Sequence, residues 1–263
     1  MKLLITGASG LYGSKLAQMA LAKNFEVYSS DIQDLSVYGN FVKLDISGKA
    51  QVDEAFKTIK PDVVVHAATL TDVDKCELNK ALAWKVNVEG TKNIVEAAKA
   101  TGSFLIYIST DYIFGGETGR YKETDAPNPI NYYGITKLKA EEIVKTQKEY
   151  FIARPSVMYG STPAAGKVNF ALWIIENLRK GEHVKIVTDQ WNTPTLNTNL
   201  AEMTLEVIER KLTGIYHLCG ATRVSRFKFA DQIADVFSLD KGLIEKVLSS
   251  KFILPAKRPM DSS

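Results

Sequence analysis

The segment Lys2-Leu-Leu-Ile-Thr-Gly-Ala-Ser-Gly-Leu-Tyr-Gly13 decides the fold of this 263-residue chain. A short apolar run precedes three glycines at GxxGxxG spacing, and a helix-forming segment follows directly. Glycine permits a tight turn and lets backbone N–H groups at the positive end of a helix approach a phosphate. The segment therefore predicts a site for a dinucleotide pyrophosphate, and a merely flexible turn is the alternative. The residues predicted to bind the cofactor here are Gly7, Ser9, Gly10, Leu11, Tyr12 and Gly13.

Outward from this turn, short apolar runs alternate with helix-period segments up to about residue 155, as in βαβ units. The runs are apolar along their length, which is typical of parallel strands buried on both faces. We therefore predict an α/β protein. It has a Rossmann-type doubly wound parallel sheet in residues 1–155 and a smaller, mainly substrate-binding C-terminal lobe in residues 156–263. A segment near 197–219 is expected to return to the Rossmann domain, and one long helix is predicted over 78–101.

Composition and charge limit the classes of molecule that this chain is expected to bind and the compartment in which it is expected to work. The 33 Lys and Arg and 30 Asp and Glu are scattered, so the net charge of +3 forms no basic stripe, and nucleic acid is not expected as a partner. Cys76 and Cys219 lack metal or redox spacing, so we expect reduced thiols in the cytoplasm and no metal site. No apolar run approaches the roughly 20 residues that cross a bilayer, so neither a membrane nor a leader is expected. The ending Arg258-Pro-Met-Asp-Ser-Ser263 has no helix cap, which suggests that a short tail is missing.

Two aspartates end the next predicted strands. Asp31 ends the second strand, where a carboxylate can accept hydrogen bonds from the adenosine ribose, and without a cation at Ile32 or Gln33 it favours NADH. Asp45 ends the third strand and can approach the adenine, with Ile46 beside it. Each aspartate has an alternative: Asp31 as a surface turn residue, and Asp45 as a turn residue or helix cap.

The segment Tyr133-Gly-Ile-Thr-Lys137 places a phenol and an ammonium on one face of a predicted helix. A nearby ammonium favours phenolate, so we expect Lys137 to lower the pKa of Tyr133 toward neutral pH. An earlier strand ends in Ser109 and Thr110 at the carboxyl edge of the sheet, where open α/β folds bind ligands. Thr110 is preferred as the donor to a substrate carbonyl, and Ser109 stays open as the alternative.

Together these motifs resemble the extended short-chain dehydrogenase/reductases, and most closely the dTDP-4-dehydrorhamnose reductase family. The likeness spans nearly the whole chain. Besides the glycine turn, it rests on Pro61-Asp-Val-Val-Val-His-Ala-Ala68, Thr71-Asp-Val-Asp-Lys75, Asn87, Ser109-Thr-Asp-Tyr-Ile-Phe114, Asn131-Tyr-Tyr-Gly-Ile-Thr-Lys137, Asp189-Gln190, Pro194-Thr195 and Arg258-Pro259. The Thr-Asp-Tyr-Ile-Phe, Asp-Gln and Pro-Thr segments point to the reductase branch.

The resemblance implies that NADPH or NADH reduces the 4-keto group of a nucleotide-linked deoxysugar, dTDP-4-dehydrorhamnose, while Tyr133 delivers a proton to the oxygen. It implies Thr110, Tyr133 and Lys137 as catalytic residues, with Lys137 also holding the nicotinamide ribose. Further cofactor contacts are implied at Ala67, Ala68, Thr69 and Asn87. Substrate contacts are implied at Thr110, Asp111, Asn169, Gln190 and Arg258. Asn169 also fits a helix start, and His66 is expected to be a structural neighbour.

The glycine turn departs from the reductase pattern at Ala8-Ser9 and Leu11-Tyr12, and Val157 replaces a frequent aromatic. The family accepts either cofactor with a carboxylate at the position of Asp31. Alternatives are a sugar-nucleotide epimerase or dehydratase, although Tyr112 stands where a dehydratase carries an acid, and a regulatory subunit of the methionine adenosyltransferase type. The expected partner is the nucleotide sugar, and a homodimer is kept open.

Overall fold

The computed structural model describes residues 1–35, 38–161 and 168–263. The strands are β1 (Lys2–Thr6), β2 (Glu26–Asp31), β3 (Asn40–Lys43), β4 (Val63–His66), β5 (Phe104–Ile108), β6 (Tyr150–Ala153), β7 (Met158–Tyr159), β8 (Val184–Val187), β9 (Trp191–Asn192), β10 (Thr195–Leu196), β11 (Gly214–Tyr216), β12 (Val224–Ser225) and β13 (Ile244–Val247). The α-helices are α1 (Leu11–Ala22), α2 (Lys49–Ile59), α3 (Val73–Leu78), α4 (Lys80–Trp84), α5 (Gly90–Thr101), α6 (Tyr132–Val144), α7 (Phe170–Arg179), α8 (Asn197–Arg210) and α9 (Arg226–Val236).

Within these ranges, seven strands form one parallel sheet in the order β11-β6-β5-β4-β1-β2-β3. The strand order reverses beside β1, because β2 lies on one side of it and β4 on the other. Ligands of open α/β sheets bind at such a reversal, beyond the carboxyl ends of the strands. The glycine turn directly follows β1 and therefore lies at that point, and the predicted α/β fold with a doubly wound parallel sheet is confirmed.

The two faces of the sheet carry separate cores, as the alternation of side chains along a strand requires. Leu3 and Ile5 of β1 lie in the core shared with α1 and α8, whereas Leu4 lies in the core shared with α2, α5 and α6. Leu3, Leu4 and Ile5 are fully buried although they face opposite sides of the sheet, which explains why the middle of β1 is apolar on both faces.

The later part of the chain contains a third core between α7, α9 and β8, centred on Ile174, Ile186 and Phe229. Short strand pairs surround it: β7 with β10, β9 with β12, and β8 with β13. Meanwhile α8 packs against α1, and β11 extends the main sheet beside β6. The division into domains at residue 155 stays a prediction. No helix in the described ranges is both long and apolar enough to span a membrane.

The long helix predicted over 78–101 is confirmed from Lys80 to Thr101, where α4, a π-helical turn and α5 follow one another without a break. Its start differs from the prediction, because Leu78 ends α3. Asn79 has φ −131° and ψ 73°, and its side chain accepts a hydrogen bond from the Leu82 backbone N at 3.0 Å, which starts α4 anew. A π-helical turn over Lys85–Glu89 then precedes α5. Helical periodicity alone cannot reveal such a change of turn, and π-helical turns are frequent at functional sites.

Candidate active site

The glycine turn packs against the chain that leaves β4. Gly7 has a φ of 73°, and a Cβ on it would come within 2.7 Å of the Ala68 backbone N, so only glycine fits. Ala67 and Ala68 are half-buried at this edge. Gly10 is the N-cap of α1, and within the described chain the first turn of α1 has neither a side-chain cap nor an acidic residue. Because helix N-termini bind anions, these residues fit the diphosphate of a dinucleotide.

Asp31 connects the end of β2 to the glycine turn. Its carboxylate accepts hydrogen bonds from the backbone N–H groups of Ser9 at 3.1 Å, Ile32 at 2.8 Å and Gln33 at 3.3 Å. The contacts to Ile32 and Gln33 are local turn contacts, as expected for the alternative in which Asp31 is a surface turn residue. The contact to Ser9 brings the carboxylate to the predicted adenosine side of the site, and its ribose contact stays a prediction.

Asp45 and Ile46 have local partners in the structure. The exposed Asp45 accepts a hydrogen bond from the Ser47 backbone N at 2.9 Å, which matches the turn alternative. Ile46 is buried against Gly90, where an added Cβ would lie 2.8 Å from the Ile46 Cδ1. Their approach to an adenine therefore stays a prediction.

Asn87, which lies in the π-helical turn, connects the chain after β4 to helix α6. Its Oδ1 accepts hydrogen bonds from the Thr69 hydroxyl and the Leu70 backbone N, both at 2.8 Å. Its Nδ2 donates to the Thr136 hydroxyl at 3.0 Å and to the Leu70 carbonyl at 3.3 Å. Since Thr136 immediately precedes Lys137, Asn87 holds α6 against the cofactor edge.

Tyr133 lies beside Thr110 at the carboxyl edge of the sheet. Thr110 donates its own proton to Asp111 Oδ1 at 3.1 Å and accepts from the Tyr112 backbone N at 3.2 Å. This arrangement leaves a phenolic proton beside a second hydroxyl, as a carbonyl reduction requires.

Ser109 points to a different place, although it is the neighbour of Thr110. Its hydroxyl donates to Glu141 Oε1 at 2.6 Å. Glu141 also accepts from Arg154 Nε at 3.0 Å and Arg154 Nη2 at 2.7 Å, and the side chains of this ion pair are 0% and 2% exposed. The Ser109 hydroxyl is thus occupied inside the protein, so the geometry favours Thr110 over Ser109.

Lys137 is fully buried on the same helix face as Tyr133. Its ammonium donates to the Ile108 carbonyl at 2.7 Å and lies 4.2 Å from the centre of the Tyr107 ring. Burial lowers the pKa of Lys137 to about 7, and Glu141 opposes that shift. Burial also raises the pKa of Tyr133. The expectation that Lys137 lowers the pKa of Tyr133 is therefore wrong in this structure, because desolvation dominates and the ammonium points to Ile108.

His66 lies below the site as a structural residue. Its two ring nitrogens are hydrogen-bonded to the hydroxyls of Thr6 at 2.7 Å and Thr91 at 3.0 Å. Burial, followed by the charge of Lys137, lowers the pKa of His66 to about 3, so the ring stays neutral. Because both ring nitrogens are hydrogen-bonded within the protein, His66 fits the structural role expected from the sequence.

The predicted substrate residues are engaged with the protein itself. Arg258 Nη2 contacts Asp74 Oδ2 at 2.8 Å. Asn169 caps α7 by accepting from the Leu172 backbone N at 3.2 Å, which is the helix-start alternative. The Gln190 carbonyl accepts from the Arg226 backbone N at 2.9 Å. Asp111 accepts from the hydroxyls of Thr110, Ser156 and Ser262. Their substrate contacts stay predictions.

Comparison with known proteins shows to which family the chain belongs. The profile described as RmlD substrate binding domain matches residues 1–263. The chain belongs to this family. It is 32% identical to a dTDP-4-dehydrorhamnose reductase of Aggregatibacter actinomycetemcomitans, over 99% of this chain and 89% of that protein.

Two further relatives show the range of the RmlD family. The crystal structure of a dTDP-4-dehydrorhamnose reductase from Bacillus anthracis in complex with NADP has a TM-score of 0.91 and 32% identity, covering 99% of this chain and 89% of that one. The methionine adenosyltransferase 2 subunit beta of Xenopus laevis is 30% identical over 93% of this chain and 74% of that protein. The family resemblance predicted from the motifs is confirmed.

Sequence reasoning missed four polar residues around the RmlD-family site: Glu141, Arg154, Ser156 and Ser262. Glu141 lies one helical turn beyond Lys137 on the same face, so that spacing could have revealed it. Arg154 follows directly after the apolar run of β6, at the edge where ligands bind. Ser262 donates to Asp111 from 151 residues away, and no sequence signal links the two residues.

Proposed function

We propose that this chain reduces the 4-keto group of dTDP-4-dehydrorhamnose to dTDP-rhamnose with NADPH or NADH. The observation that carries the proposal is the buried arrangement of Tyr133 and Lys137 on one face of α6 beside Thr110, with the Lys137 ammonium bonded to the Ile108 carbonyl of β5 at 2.7 Å. These residues lie at the carboxyl edge of the same parallel sheet whose first strand leads into the N-terminus of α1. Relatives named dTDP-4-dehydrorhamnose reductase match nearly the whole chain, and one of them was crystallised with NADP.

In this proposal the reduced nicotinamide, when bound, supplies the hydride to the keto carbon. Tyr133 acts as general acid: because burial raises its pKa, the phenol carries its proton at neutral pH. With substrate bound, Thr110 would turn its hydroxyl proton from Asp111 Oδ1 to the carbonyl oxygen and so stabilise the negative charge that develops there. Lys137 contacts the ribose of the nicotinamide, and Asn87 holds α6 through Thr136.

Different residues would bind the different groups of the cofactor and of the nucleotide sugar. We propose that backbone N–H groups from Ser9 to Gly13 bind the diphosphate and that Asp31 accepts from the adenosine ribose. Arg258, whose planar guanidinium suits a diphosphate, would exchange its contact with Asp74 for the nucleotide sugar. Asn169 and Gln190 complete the proposed sugar-nucleotide contacts.

The test is to incubate the purified chain with dTDP-4-dehydrorhamnose and either NADPH or NADH, following loss of nicotinamide absorbance and identifying the product by mass spectrometry. Tyr133→Phe should lower kcat by about 10² to 10⁴, because the proton donor is lost. Tyr132→Phe, the neighbouring residue on α6, is the matched control and should retain activity. Failure of the wild-type chain to oxidise either cofactor would contradict the proposal, and tightly retained NAD with turnover that needs no added reductant would favour an epimerase.

A second candidate function follows from the similarity to the methionine adenosyltransferase subunit. In that case the fold would bind a synthetase without reducing a sugar. Stoichiometric recovery of a methionine adenosyltransferase with the purified chain, together with no reductase activity, would favour this function. The buried placement of Tyr133 beside Thr110 supports the reductase, since mere binding does not require it.

We also propose that the nucleotide sugar is the partner and that the protein works in the cytoplasm. Cys76 and Cys219 are both free thiols, which fits a reducing compartment. Fractionation of the producing cell would test the compartment. The homodimer stays a prediction that sedimentation of the purified chain would decide.

A further inference from the structure

Arg226, the first residue of α9, lies against two segments that carry predicted substrate residues. Its backbone N–H donates to the Gln190 carbonyl at 2.9 Å. Its guanidinium carbon lies 5.2 Å from the centre of the Phe170 ring. Phe170 begins α7 and directly follows the capping residue Asn169. Arg226 is therefore placed beside both Gln190 and the start of α7.

Tyr112 lies between Arg226 and the proposed proton donor. The Tyr112 ring is in edge-to-face contact with the ring of Tyr133, with their centres 6.1 Å apart. Burial raises the pKa of the Tyr112 phenol, and the positive charge of Arg226 opposes that shift, which requires the guanidinium to be near the phenol. Arg226 is thus close to the reaction centre, although it belongs to the later part of the chain.

A second arginine, Arg258, approaches the same tyrosine from another direction. Its Nη2 contacts Asp74 Oδ2 of α3 at 2.8 Å, and α3 packs into the apolar cluster that contains Tyr112. The charge of Arg258 also acts on the Tyr112 phenol. Two cations from different segments of the chain therefore lie around one aromatic side chain next to Tyr133.

Arg226 differs from the other arginines near the site in its lack of a carboxylate partner. No ion pair of the described residues includes Arg226, whereas a carboxylate is paired with each of Arg154, Arg223 and Arg258. The half-buried guanidinium of Arg226 is held instead by the face of Phe170, whose ring stacks on that of Phe229 at 5.8 Å. A guanidinium over a ring keeps N–H groups in its own plane, where they can donate to an anion.

A diphosphate fits this arrangement of two arginines. It presents several anionic oxygens, and arginine binds such oxygens in pairs through its planar fork. The nicotinamide cofactor carries one diphosphate, but its predicted site is the glycine turn before α1. The nucleotide sugar carries the other diphosphate of the proposed reaction, and it must enter beside Tyr133.

We infer that Arg226, stacked on Phe170, binds the diphosphate of the nucleotide sugar together with Arg258. The inference rests on the proposed reductase function and deepens it. It adds Arg226 to the substrate contacts predicted from the sequence, and it gives Phe170 the role of positioning the guanidinium. The later part of the chain would thereby select for a nucleoside diphosphate.

The test is calorimetric titration of the purified chain with dTDP, thymidine and NADPH. Arg226→Met should weaken dTDP binding about 10- to 100-fold, the size of a lost hydrogen bond to a charged group, and leave thymidine and NADPH binding unchanged. Arg226→Lys keeps the charge without the planar fork, so its dTDP affinity should be intermediate. Arg179→Met is the matched control, because the Arg179 guanidinium lies 6.0 Å from the Phe237 ring and should not affect any of the three ligands.

Three results of the titration would overturn the inference. The first is a dTDP affinity that Arg226→Met leaves unchanged. The second is an equal loss for thymidine and dTDP, which would assign the guanidinium to the base. The third is a loss for NADPH but not for dTDP, which would assign it to the diphosphate of the cofactor.

Turnover separates the inference from the proposed function. In an active reductase, Arg226→Met should raise the KM for dTDP-4-dehydrorhamnose about as much as it weakens dTDP binding, and should change kcat little. An active wild-type chain whose KM does not respond to Arg226→Met would overturn the inference alone. A wild-type chain that reduces no keto sugar would overturn the proposed function, and the dTDP titration would still decide the inference.

Discussion

Two neighbouring hydroxyls at the end of β5 contact two different buried carboxylates. Ser109 donates to Glu141, which also forms a two-point contact with the Arg154 guanidinium. Thr110 donates to Asp111, whose other donors are the hydroxyls of two serines. Successive side chains at a strand end point in opposite directions, so one residue step separates these two environments.

The two environments differ in the groups that bind the negatively charged carboxylate. Glu141 lies on α6 and Arg154 follows β6, so their ion pair fastens the helix of Tyr133 and Lys137 to the sheet. Asp111 is bound by hydroxyls, which stabilise a charge less than a guanidinium does. The Glu141 side of the site is thus held by a buried ion pair, and the Asp111 side is held by hydroxyls.

The largest expected effect comes from removing the cation of the buried ion pair. Arg154→Met leaves Glu141 with an uncompensated buried charge and should lower the free energy of unfolding by about 3 to 5 kcal/mol. Chemical denaturation measures it. Arg210→Met is the matched control: its pair with Glu206 is 67% and 52% exposed, so the loss should stay below about 1 kcal/mol. Equal losses in the two variants would contradict the structural role given to the buried pair.

The second prediction compares the two hydroxyls directly. Thr110→Ala should lower kcat by about 10² or more, because a donor to the developing oxyanion is lost. Ser109→Ala should affect mainly stability, by about 1 kcal/mol, because its hydroxyl is bonded to Glu141. Steady-state kinetics and denaturation of both variants measure these effects. A loss of kcat that is larger for Ser109→Ala than for Thr110→Ala would exchange their roles.

The smallest effect concerns the pH dependence of stability at Asp111. Its folded pKa is raised by burial, so its contribution to stability is present below the unfolded pKa and is lost as pH rises through the folded pKa. Asp111→Asn removes that titration. As the pH rises above about 4, the unfolded pKa of an aspartate, the difference in unfolding free energy should therefore shift in favour of the variant. Thermal unfolding across this range measures the change, and a constant difference between the two proteins would disprove it.

The sequence predicted much of the fold because the strands of a parallel sheet are apolar on both faces. The short apolar run that precedes the glycine turn forms β1, Lys2–Thr6. The helix predicted over 78–101 is present from Lys80 to Thr101, but the helical pattern revealed neither the cap at Asn79 nor the π-helical turn over Lys85–Glu89. The short pairs β7 with β10 and β9 with β12 were missed, because two-residue strands carry no periodicity.

For the candidate site, local spacing was enough to propose Tyr133 and Lys137, which are four residues apart on one helix. It could not decide between Ser109 and Thr110, because their contacts come from different elements. It also gave the wrong direction for the pKa of Tyr133, since burial cannot be read from a neighbouring charge.

By itself, the sequence determined the glycine turn, the alternation of strands and helices, and the family, because these depend on residues close together in the chain. Only the tertiary structure decided which hydroxyl meets Tyr133, and that Ser262 reaches Asp111 across 151 residues. Such contacts depend on how distant loops close over the sheet edge. The opening segment, Lys2 to Gly13, thus indicates a dinucleotide, while the Asp111 carboxylate beside Thr110 is bonded to a serine from a distant part of the chain.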